Sequence, residues 1–496
     1  MDKPNVIFIL VDDLGWAEPA CYGHEFNETP NIDELAENGI RFTQAYASST
    51  VCSPSRAGLL TGQAPPRNGI TDYLRPMSEW FLPQSYDNAD FGDNELPSNT
   101  EYRLNKKFTT LGEMFKRCGY STGIIGKWHL SGYDRNGVKH GPENYGFDEA
   151  IISEQTGIGN GSYFHPYTHV DRAIEPVLGE DEYLVDRMNY EAVQFIKKHQ
   201  KEPFFLYLSH YAVHTVLDAK EDMIAHFSKK RKQMESKKGN NQKRDRKSGG
   251  LLKTVVALLD ALKWKNLKNW GKKDEKWLIK NNPVLASMLK SIDDGVGDIV
   301  RTLKEEGIYE NTMIVFTSDN GGDPWVTNNA HLRGGKSFTY EGGLRVPLII
   351  SYPKLTPAGI VRHIPTTNLD FYPTFAELIG HSIPKKHTLD GVSILPFMID
   401  EECEEPNRTL SWHYPLKRPH FLGGRSSAAN RKNNYKYIRF FDDGSDELYD
   451  LANDESEKSN LAGKAEKLLF DHKKMLRNWL RDVGGKVPNR QHPIEE

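Results

Sequence analysis

Short apolar runs alternate along the chain with segments of helical periodicity. Five runs have the length and composition of strands buried on both faces: residues 5–11, 121–125, 203–208, 312–317 and 346–350. Other segments repeat their apolar residues every three to four positions, as amphipathic helices do: residues 31–39, 109–118, 183–199, 283–306 and 369–379. This alternation predicts an α/β fold with a large, mostly parallel sheet that is flanked by helices on both faces.

The pattern changes beyond about residue 385. Short strands are predicted at residues 408–413 and 435–441, and a final helix at 465–483. A chain of 496 residues is also longer than one typical domain. We therefore predict a large α/β domain over residues 1–385 and a smaller C-terminal α+β domain over 386–496, with an antiparallel sheet.

Composition is that of a globular protein, with 38% hydrophobic and 27% charged residues. No apolar run approaches the roughly 20 residues that a membrane-spanning helix needs, so we expect no membrane segment. The first strand begins so close to Met1 that no signal peptide fits before it, which leaves a cytoplasmic protein or a trimmed targeting segment. Four cysteines, at positions 21, 52, 118 and 403, have no metal-type spacing and leave the redox compartment open.

Positive charge is concentrated in one segment. Residues 229–280 hold 18 basic and 5 acidic residues, a net charge of +13, so the rest of the chain carries −17. The polar part, residues 229–250, predicts an insertion or mobile loop. It is either a solvated surface or a region that attracts a polyanion. No nucleic-acid recognition motif accompanies it, so we expect no nucleic-acid partner.

The segment from Val51 to Gly62 combines a thiol, a cation and a helix start. A strand at 40–46 leads to it, Ser53 suits an N-cap, and Gly62 suits a left-handed helix end. Cys52 then lies at a helix N-terminus, where Arg56 can direct its guanidinium to the same point and favour an oxyanion. A cysteine phosphatase is excluded, because its arginine lies six residues after the cysteine and position 58 is glycine. An inert buried cysteine stays open.

Carboxylate and amide side chains follow two of the predicted strands. Asp12 and Asp13 end the first strand, and Asp319 and Asn320 end the strand at 312–317. Ligands bind at the carboxyl ends of strands in open α/β sheets. This oxygen-only set favours a hard cation, Ca²⁺ or Mg²⁺, with Ca²⁺ preferred, provided that the two strands are neighbours.

Basic residues follow other predicted strands. Lys127 and His129 come after the strand at 121–125, and both point to one side if the chain is still extended there. Lys336 lies in a glycine-containing loop that leads to the strand at 346–350.

Several of these motifs together resemble the type I, formylglycine-dependent sulfatases of the alkaline-phosphatase-like superfamily. The string Cys-Ser-Pro-Ser-Arg with its Leu-Thr-Gly end resembles the sulfatase signature. Asn-Val-Ile-Phe-Ile-Leu-Val-Asp-Asp, Gly-Lys-Trp-His, Thr-Ser-Asp-Asn-Gly and Leu-Arg-Gly-Gly-Lys also resemble sulfatase motifs in the family's order. The similarity covers most of the first 350 residues, and the chain resembles bacterial sulfatases that act on polysaccharides and other carbohydrates.

The resemblance implies a modified nucleophile and a bound metal. A formylglycine-generating or sulfatase-maturing enzyme would oxidise Cys52 to formylglycine, whose hydrated aldehyde attacks sulfur. Asp12, Asp13, Asp319 and Asn320 would hold Ca²⁺ together with the modified residue 52.

The remaining catalytic residues are carried over in the same way. Arg56, Lys127 and Lys336 would neutralise the sulfate, and Asp319 would take a proton from the attacking hydroxyl. His214, with Lys336, would protonate the departing alcohol, and His129 would then deprotonate the second hydroxyl. Because Val213 and Val216 replace the family's prolines around His214, His210 is the fallback.

The predicted function is hydrolysis of sulfate monoesters on a sulfated carbohydrate, an algal polysaccharide oligomer or a glycosaminoglycan fragment. The candidate contacts to sugar or sulfate are His165, His169, His331, Arg333, His413 and Arg425. The family resemblance implies a periplasmic or secreted location. Two alternatives stay open: a phosphate or phosphonate ester hydrolase with the same nucleophile, and a non-catalytic polyanion-binding protein in which Cys52 is never modified.

Overall fold

The computed structural model describes most of the chain. The described residues are 3–74, 103–131, 140–153, 162–167, 174–242, 281–399, 403, 405–488 and 491–495. His169 and residues 243–280 of the basic segment lie outside these ranges.

A nine-stranded sheet forms the centre of the described fold. Its strands are β1 (Asn5–Val11), β2 (Ile40–Tyr46), β3 (Ser121–Gly126), β4 (Glu149–Ile151), β5 (Phe204–Ser209), β6 (Thr312–Ser318), β7 (Arg345–Ser351), β8 (Ile360–Arg362) and β9 (Thr366–Thr367). The order across the sheet is β4-β3-β5-β1-β6-β7-β2-β8, and β9 also pairs with β2. Among the described residues, the strand pairings of this sheet are parallel except those of β7, which runs antiparallel to β6 and β2. The predicted mostly parallel sheet is confirmed.

Helices cover both faces of this sheet. They are α1 (Pro30–Glu37), α2 (Cys52–Thr61), α3 (Pro65–Asn68), α4 (Leu111–Arg117), α5 (Leu184–His199), α6 (Glu221–Gln242), α7 (Pro283–Glu305), α8 (Glu341–Leu344), α9 (Phe371–Leu378) and α10 (Leu395–Ile399). Alternate residues of β1 separate the two cores. Val6, Phe8 and Leu10 pack with α2, α4 and α9, whereas Ile7 and Ile9 pack with α1, α5 and α7. Within the described ranges, no helix has the length and apolarity that a bilayer crossing needs.

A second, four-stranded antiparallel sheet follows. It consists of β10 (Thr409–Tyr414), β11 (Ser427–Lys432), β12 (Tyr435–Phe440) and β13 (Asp446–Asp450), and the last helix is α11 (Glu466–Val483). One face, which includes Trp412 and Ile438, packs on Tyr46 and Leu344 of the large sheet region. The other face packs on α11. The antiparallel C-terminal sheet is confirmed.

Two local predictions are wrong. Helix α2 begins at Cys52 with Val51 as its N-cap, two residues earlier than predicted, and the Ser53 hydroxyl instead accepts a hydrogen bond from the Leu74 N–H. Gly62 does end this helix, with φ 66°. The predicted loop at 229–250 is also wrong in its first part, because α6 continues to Gln242.

A buried charge cluster joins the two sheets. The Lys436 ammonium lies 2.9 Å from a Glu341 carboxylate oxygen and 3.0 Å from one of Glu457, and all three side chains are fully buried. The second Glu457 oxygen accepts a hydrogen bond from the Glu341 N–H at 2.7 Å. The hydroxyl of Tyr46, on β2, donates to Glu341 at 2.7 Å. Lys436 therefore neutralises carboxylates from both parts of the chain.

We predict that Lys436→Met destabilises the protein by about 3–5 kcal/mol, because it removes the ammonium that lies between the buried carboxylates of Glu341 and Glu457, and Arg345, 3.9 Å from Glu341, does not replace it. Urea unfolding followed by tryptophan fluorescence measures this loss. Lys467→Ala is the matched control, since Lys467 pairs with Asp471 on the surface of α11, and its effect should stay within about 0.5 kcal/mol. Equal midpoints for the two variants would contradict the prediction.

Candidate active site

Four neighbouring parallel strands end at the same edge of the large sheet. In spatial order they are β3, β5, β1 and β6. Residues 126–129 follow β3, residues 210–214 follow β5, Asp12 and Asp13 follow β1, and Asp319 and Asn320 follow β6. The requirement that the two acidic strand ends be neighbours is met, because β1 pairs with β6 along its whole length.

Cys52 lies among the three carboxylates at this edge. Its sulfur is 3.2 Å from an Asp12 oxygen and 3.9 Å from an Asp13 oxygen. Potential ligand atoms of Asp12, Asp13, Cys52 and Asp319 all lie within 4.8 Å of one another, and all four residues are buried. Residue 13 adopts a left-handed conformation (φ 61°), which aspartate tolerates better than most residues. The structure thus brings the predicted nucleophile and the predicted metal ligands together.

Asn320 is the fourth predicted metal ligand. Its amide nitrogen donates to an Asp13 oxygen at 2.8 Å. Its Oδ1 is buried and has no hydrogen-bond partner among the described residues. A buried amide oxygen without a donor is available to a cation.

Three cations surround the carboxylates. Arg56 donates from Nε to Asp319 at 2.8 Å, and its Nη2 lies 2.7 Å from the same oxygen. Lys127 Nζ lies 2.5 Å from Asp12, and Lys336 Nζ lies 2.7 Å from Asp13. Each carboxylate therefore has its own cation, and the formal charges of these six groups cancel.

The pKa values of two carboxyls diverge within this cluster. Burial alone would raise the pKa of Asp12, but Lys127, His214 and Arg56 hold it well below its usual range. Burial and the neighbouring Asp12 charge raise the pKa of Asp319 to about 7, against the opposite effect of Arg56. Asp12 is therefore a fixed anion, whereas Asp319 can take up a proton near neutral pH.

The Cys52 thiol is not a nucleophile as it stands. Burial and the Asp12 charge raise its pKa well above the ordinary value, despite Lys127 and Lys336. Because the thiolate is the reactive form of cysteine, the unmodified side chain is inert at neutral pH.

His214 joins the cluster through Lys336. The Lys336 ammonium donates to its Nε2 at 2.9 Å, and Asp13 lies 3.6 Å from the same nitrogen. The Nδ1 of His214 contacts the Thr215 carbonyl. Burial and Lys336 lower the pKa of His214 to about 4, so the ring is neutral at pH 7. His210 is also buried, and burial without the influence of any charged group of the cluster lowers its pKa to about 3.

His129 reaches the cluster from a bent chain, not from an extended one. Strand β3 ends at Gly126, and His129 itself has φ 56°, so the condition of an extended chain at Lys127 and His129 is not met. The Nε2 of His129 faces the Leu74 carbonyl at 2.8 Å, which leaves Nδ1 buried and without a described partner. Burial, Lys127 and Arg56 lower its pKa well below the usual value. His129 is therefore a neutral imidazole with a free acceptor nitrogen.

Five of the six residues predicted to contact the sugar or sulfate lie in the described ranges, and the structure does not place them in this cluster. Their nearest partners are other groups: His165 contacts the Ile174 carbonyl, His331 pairs with Glu455, Arg333 contacts Tyr340, Tyr449 and Glu457, and Arg425 pairs with Asp442 and Asp443. His413 is buried against the Phe441 ring, on the face of β10 opposite to Trp412. His169 lies outside the described residues.

Two residues of the site were not predicted. The Ser209 hydroxyl accepts from Arg56 at 2.6 Å and donates to the Lys127 carbonyl at 2.8 Å, so it links the guanidinium of Arg56 to the backbone of Lys127. Asp323 is buried and accepts a hydrogen bond from the Thr215 hydroxyl at 3.3 Å. Burial and the Asp13 charge raise its pKa, against the opposite effect of Lys336. Their positions, at the end of β5 and four residues after Asp319, are the sequence signals that could have identified them.

Comparison with known proteins agrees with this geometry. The family model described as Sulfatase matches residues 4–381, and that described as N-sulphoglucosamine sulphohydrolase, C-terminal, matches residues 331–483. A sulfatase of Formosa agariphila is 30% identical over 92% of this chain and 84% of its own length. The dog N-acetylgalactosamine-6-sulfatase is 28% identical over 80% of this chain and 66% of its own.

A solved structure extends the similarity to the whole fold. Ps i-CgsB, in complex with k-i-k-neocarrahexaose, superposes with a TM-score of 0.71 and 29% identity, covering 96% of this chain and 93% of that one. With the Sulfatase model matching more than half of the residues, the family is established. The chain belongs to the sulfatase family and is a sulfuric ester hydrolase.

Proposed function

We propose that this protein hydrolyses sulfate monoesters of a sulfated carbohydrate, such as an algal polysaccharide oligomer or a glycosaminoglycan fragment. The observation that carries the proposal is the position of Cys52 among three carboxylates and three cations in one buried cluster. The named relatives include an N-acetylgalactosamine-6-sulfatase and a protein solved with a neocarrahexaose, which supports a saccharide substrate.

The donor set suits Ca²⁺. Asp12, Asp13, Asp319 and Asn320 offer only oxygen atoms, and the Asn320 Oδ1 lacks a described donor. Oxygen ligands at a site of this kind favour hard divalent cations. These four residues, with the modified residue 52, would hold the ion.

Charge balance gives a physical reason for a metal. Three carboxylates cancel the three cations, so this cluster alone has little attraction for a dianionic or monoanionic ester. Two added positive charges on the carboxylates would free the guanidinium of Arg56 and the ammonium groups of Lys127 and Lys336 to bind sulfate oxygens.

Residue 52 needs modification for this chemistry. When present, a formylglycine at this position supplies a hydrated aldehyde as the nucleophile, and Ca²⁺ supplies positive charge for the sulfate oxygens. Cys52 is only 2% exposed in the folded chain. A formylglycine-generating or sulfatase-maturing enzyme would therefore act before folding buries the side chain.

The chain's own residues can move the required protons. Asp319, whose carboxylate lies within 4.8 Å of the residue 52 side chain, would accept one proton from the nucleophile. The Lys336 ammonium is hydrogen-bonded to His214 Nε2, and this Lys336–His214 pair would donate one proton to the departing alcohol. His129 accepts a second proton at Nδ1, because its Nε2 is held by the Leu74 carbonyl.

We also propose the domain division at residue 385 and a periplasmic or secreted location. The second sheet begins at Thr409, beyond that boundary. A location outside the cytoplasm gives access to a polysaccharide, and the sulfatase from Formosa agariphila is a bacterial relative.

Cys52 modification is tested by mass. We expect the intact protein, coexpressed with a maturing enzyme, to be about 18 Da lighter than the sequence mass, because the thiol group is replaced by an aldehyde. Cys52→Ala made in the same way should match its sequence mass. A fully active preparation with unmodified Cys52 would contradict the proposal, and unmodified inactive protein after coexpression would favour the polyanion-binding alternative.

Sulfate release tests the reaction. We expect turnover on at least one sulfated saccharide from a panel that includes k-i-k-neocarrahexaose and D-glucosamine-2-N,6-O-disulfate, and Cys52→Ala should lower kcat/KM by about 10³-fold or more. Cys403→Ala, at another cysteine, is the matched control and should retain activity. A clear preference in kcat/KM for aryl phosphate over aryl sulfate would instead support the phosphate ester hydrolase.

Metal binding has a readout that does not depend on activity. We expect Ca²⁺ to stabilise the protein against thermal unfolding, by about 2.7 kcal/mol at a free concentration of 100 times its Kd. Chelation should remove this gain, and Asp13→Asn should abolish it. Asp471→Asn, on the surface of α11, should respond as the wild type does. The same Ca²⁺ response in wild type and Asp13→Asn would rule out the assigned ligands.

A further inference from the structure

Two large aromatic side chains are exposed side by side on the described surface. Trp325 is 50% exposed and Phe421 66%, yet their ring centroids are 5.6 Å apart with an interplanar angle of 66°. The ring of His420 lies 4.2 Å from that of Phe421, and Tyr73 lies 5.9 Å from His420. Rings from three distant segments thus form one group. We call these four residues the aromatic rim.

Tyr73 and Trp325 connect the rim to the histidines of the catalytic cluster. Tyr73 precedes Leu74, whose carbonyl contacts His129 at 2.8 Å. The backbone N–H of Trp325 donates to Asp323 at 2.8 Å, and the other carboxylate oxygen of Asp323 accepts from Thr215, the residue after His214. Tyr73 is therefore linked through Leu74 to His129, and Trp325 is linked through Asp323 and Thr215 to the residue next to His214.

The loop that carries His420 and Phe421 packs against Ser337, the residue after Lys336. A Cβ at Gly424 would lie 1.9 Å from the carbonyl oxygen of Ser337. The loop closes on itself through hydrogen bonds of 2.8 Å, from the His420 N–H to the Gly424 carbonyl and from the Gly423 N–H to the His420 carbonyl. This close approach fixes the loop that carries Phe421 against the backbone of the residue after Lys336.

We propose that the aromatic rim is a binding platform for a pyranose ring of the sulfated saccharide. One face of such a ring presents C–H groups, which pack on the electron-rich face of an aromatic ring, while its hydroxyls stay hydrated. The anionic sulfate ester would bind the cations Arg56, Lys127 and Lys336. The aromatic rim would thus bind the sugar ring, and the catalytic cluster would bind the sulfate of the same substrate. This inference rests on the proposed carbohydrate substrate.

The exposure of the rings favours a sugar over a steroid or other apolar alcohol. An apolar alcohol gains most when both of its faces leave water, whereas Trp325 and Phe421 are half or more exposed and tilted against each other. A platform open on one side suits a ring with one apolar face and several hydroxyls.

The test uses matured protein and the saccharide from the panel that wild type desulfates. Trp325→Ala and Phe421→Ala should each raise the KM for this saccharide about five- to tenfold, because they remove stacking area. Trp325→Phe should restore most of the loss. The inhibition constant of inorganic sulfate, which needs only the cationic cluster, should change less than twofold in every variant.

The control is Phe470→Ala, which removes an aromatic ring that is 62% exposed on α11. It should leave the KM unchanged. If Trp325→Ala and Phe421→Ala also leave the KM unchanged, or raise the sulfate inhibition constant in parallel, the platform is overturned while the carbohydrate sulfatase assignment stands. If wild type hydrolyses steroid or aryl sulfates and no saccharide, both the platform and the proposed substrate class are overturned.

Discussion

Mutual neutralisation of buried charges at one edge of the sheet is the constraint on which the site depends. Asp12, Asp13 and Asp319 are paired with Lys127, Lys336 and Arg56, and all six side chains are less than a tenth exposed. A buried charge without a partner costs several kcal/mol, so removing any one member destabilises the others. The same pairing holds each cation near the place where an oxyanion would bind, which links the stability of this edge to its chemistry.

Close backbone contacts bring the loop of Lys336 to this edge. A Cβ at Gly321 would lie 1.9 Å from the Gly342 carbonyl oxygen, and one at Gly343 would lie 2.0 Å from that of Phe338. Only glycine permits these approaches, which press the loop against the segment after β6. The Ser337 N–H also donates to the Thr50 carbonyl at 2.8 Å, two residues before Cys52. Lys336 is thus positioned by backbone packing on both of its neighbours.

The C-terminal sheet supports the same loop from the other side. Lys436 of β12 holds Glu341, which follows the loop of Lys336 by a few residues, and the loop between β10 and β11 packs on Ser337. The small sheet therefore does more than cover the large one. Through these contacts it fixes one cation of the site and carries Phe421 of the aromatic rim.

The sequence predicted six strands of the large, mostly parallel sheet and the residues that follow them, because a strand buried on both faces needs a continuous apolar run. The short strands β4, β8 and β9 have no such run and were not predicted. The sequence also indicated Cys52, Arg56 and the acidic strand ends. The hydrogen-bond and ion-pair partners of the side chains depend on how the chain packs, and the sequence did not reveal them. His214 and His210 are both plausible after β5, and packing directs His214 to Lys336. His331 and Arg425 pair with Glu455 and Asp442, more than 15 residues away in sequence, since a charged side chain takes the partner that folding places nearest.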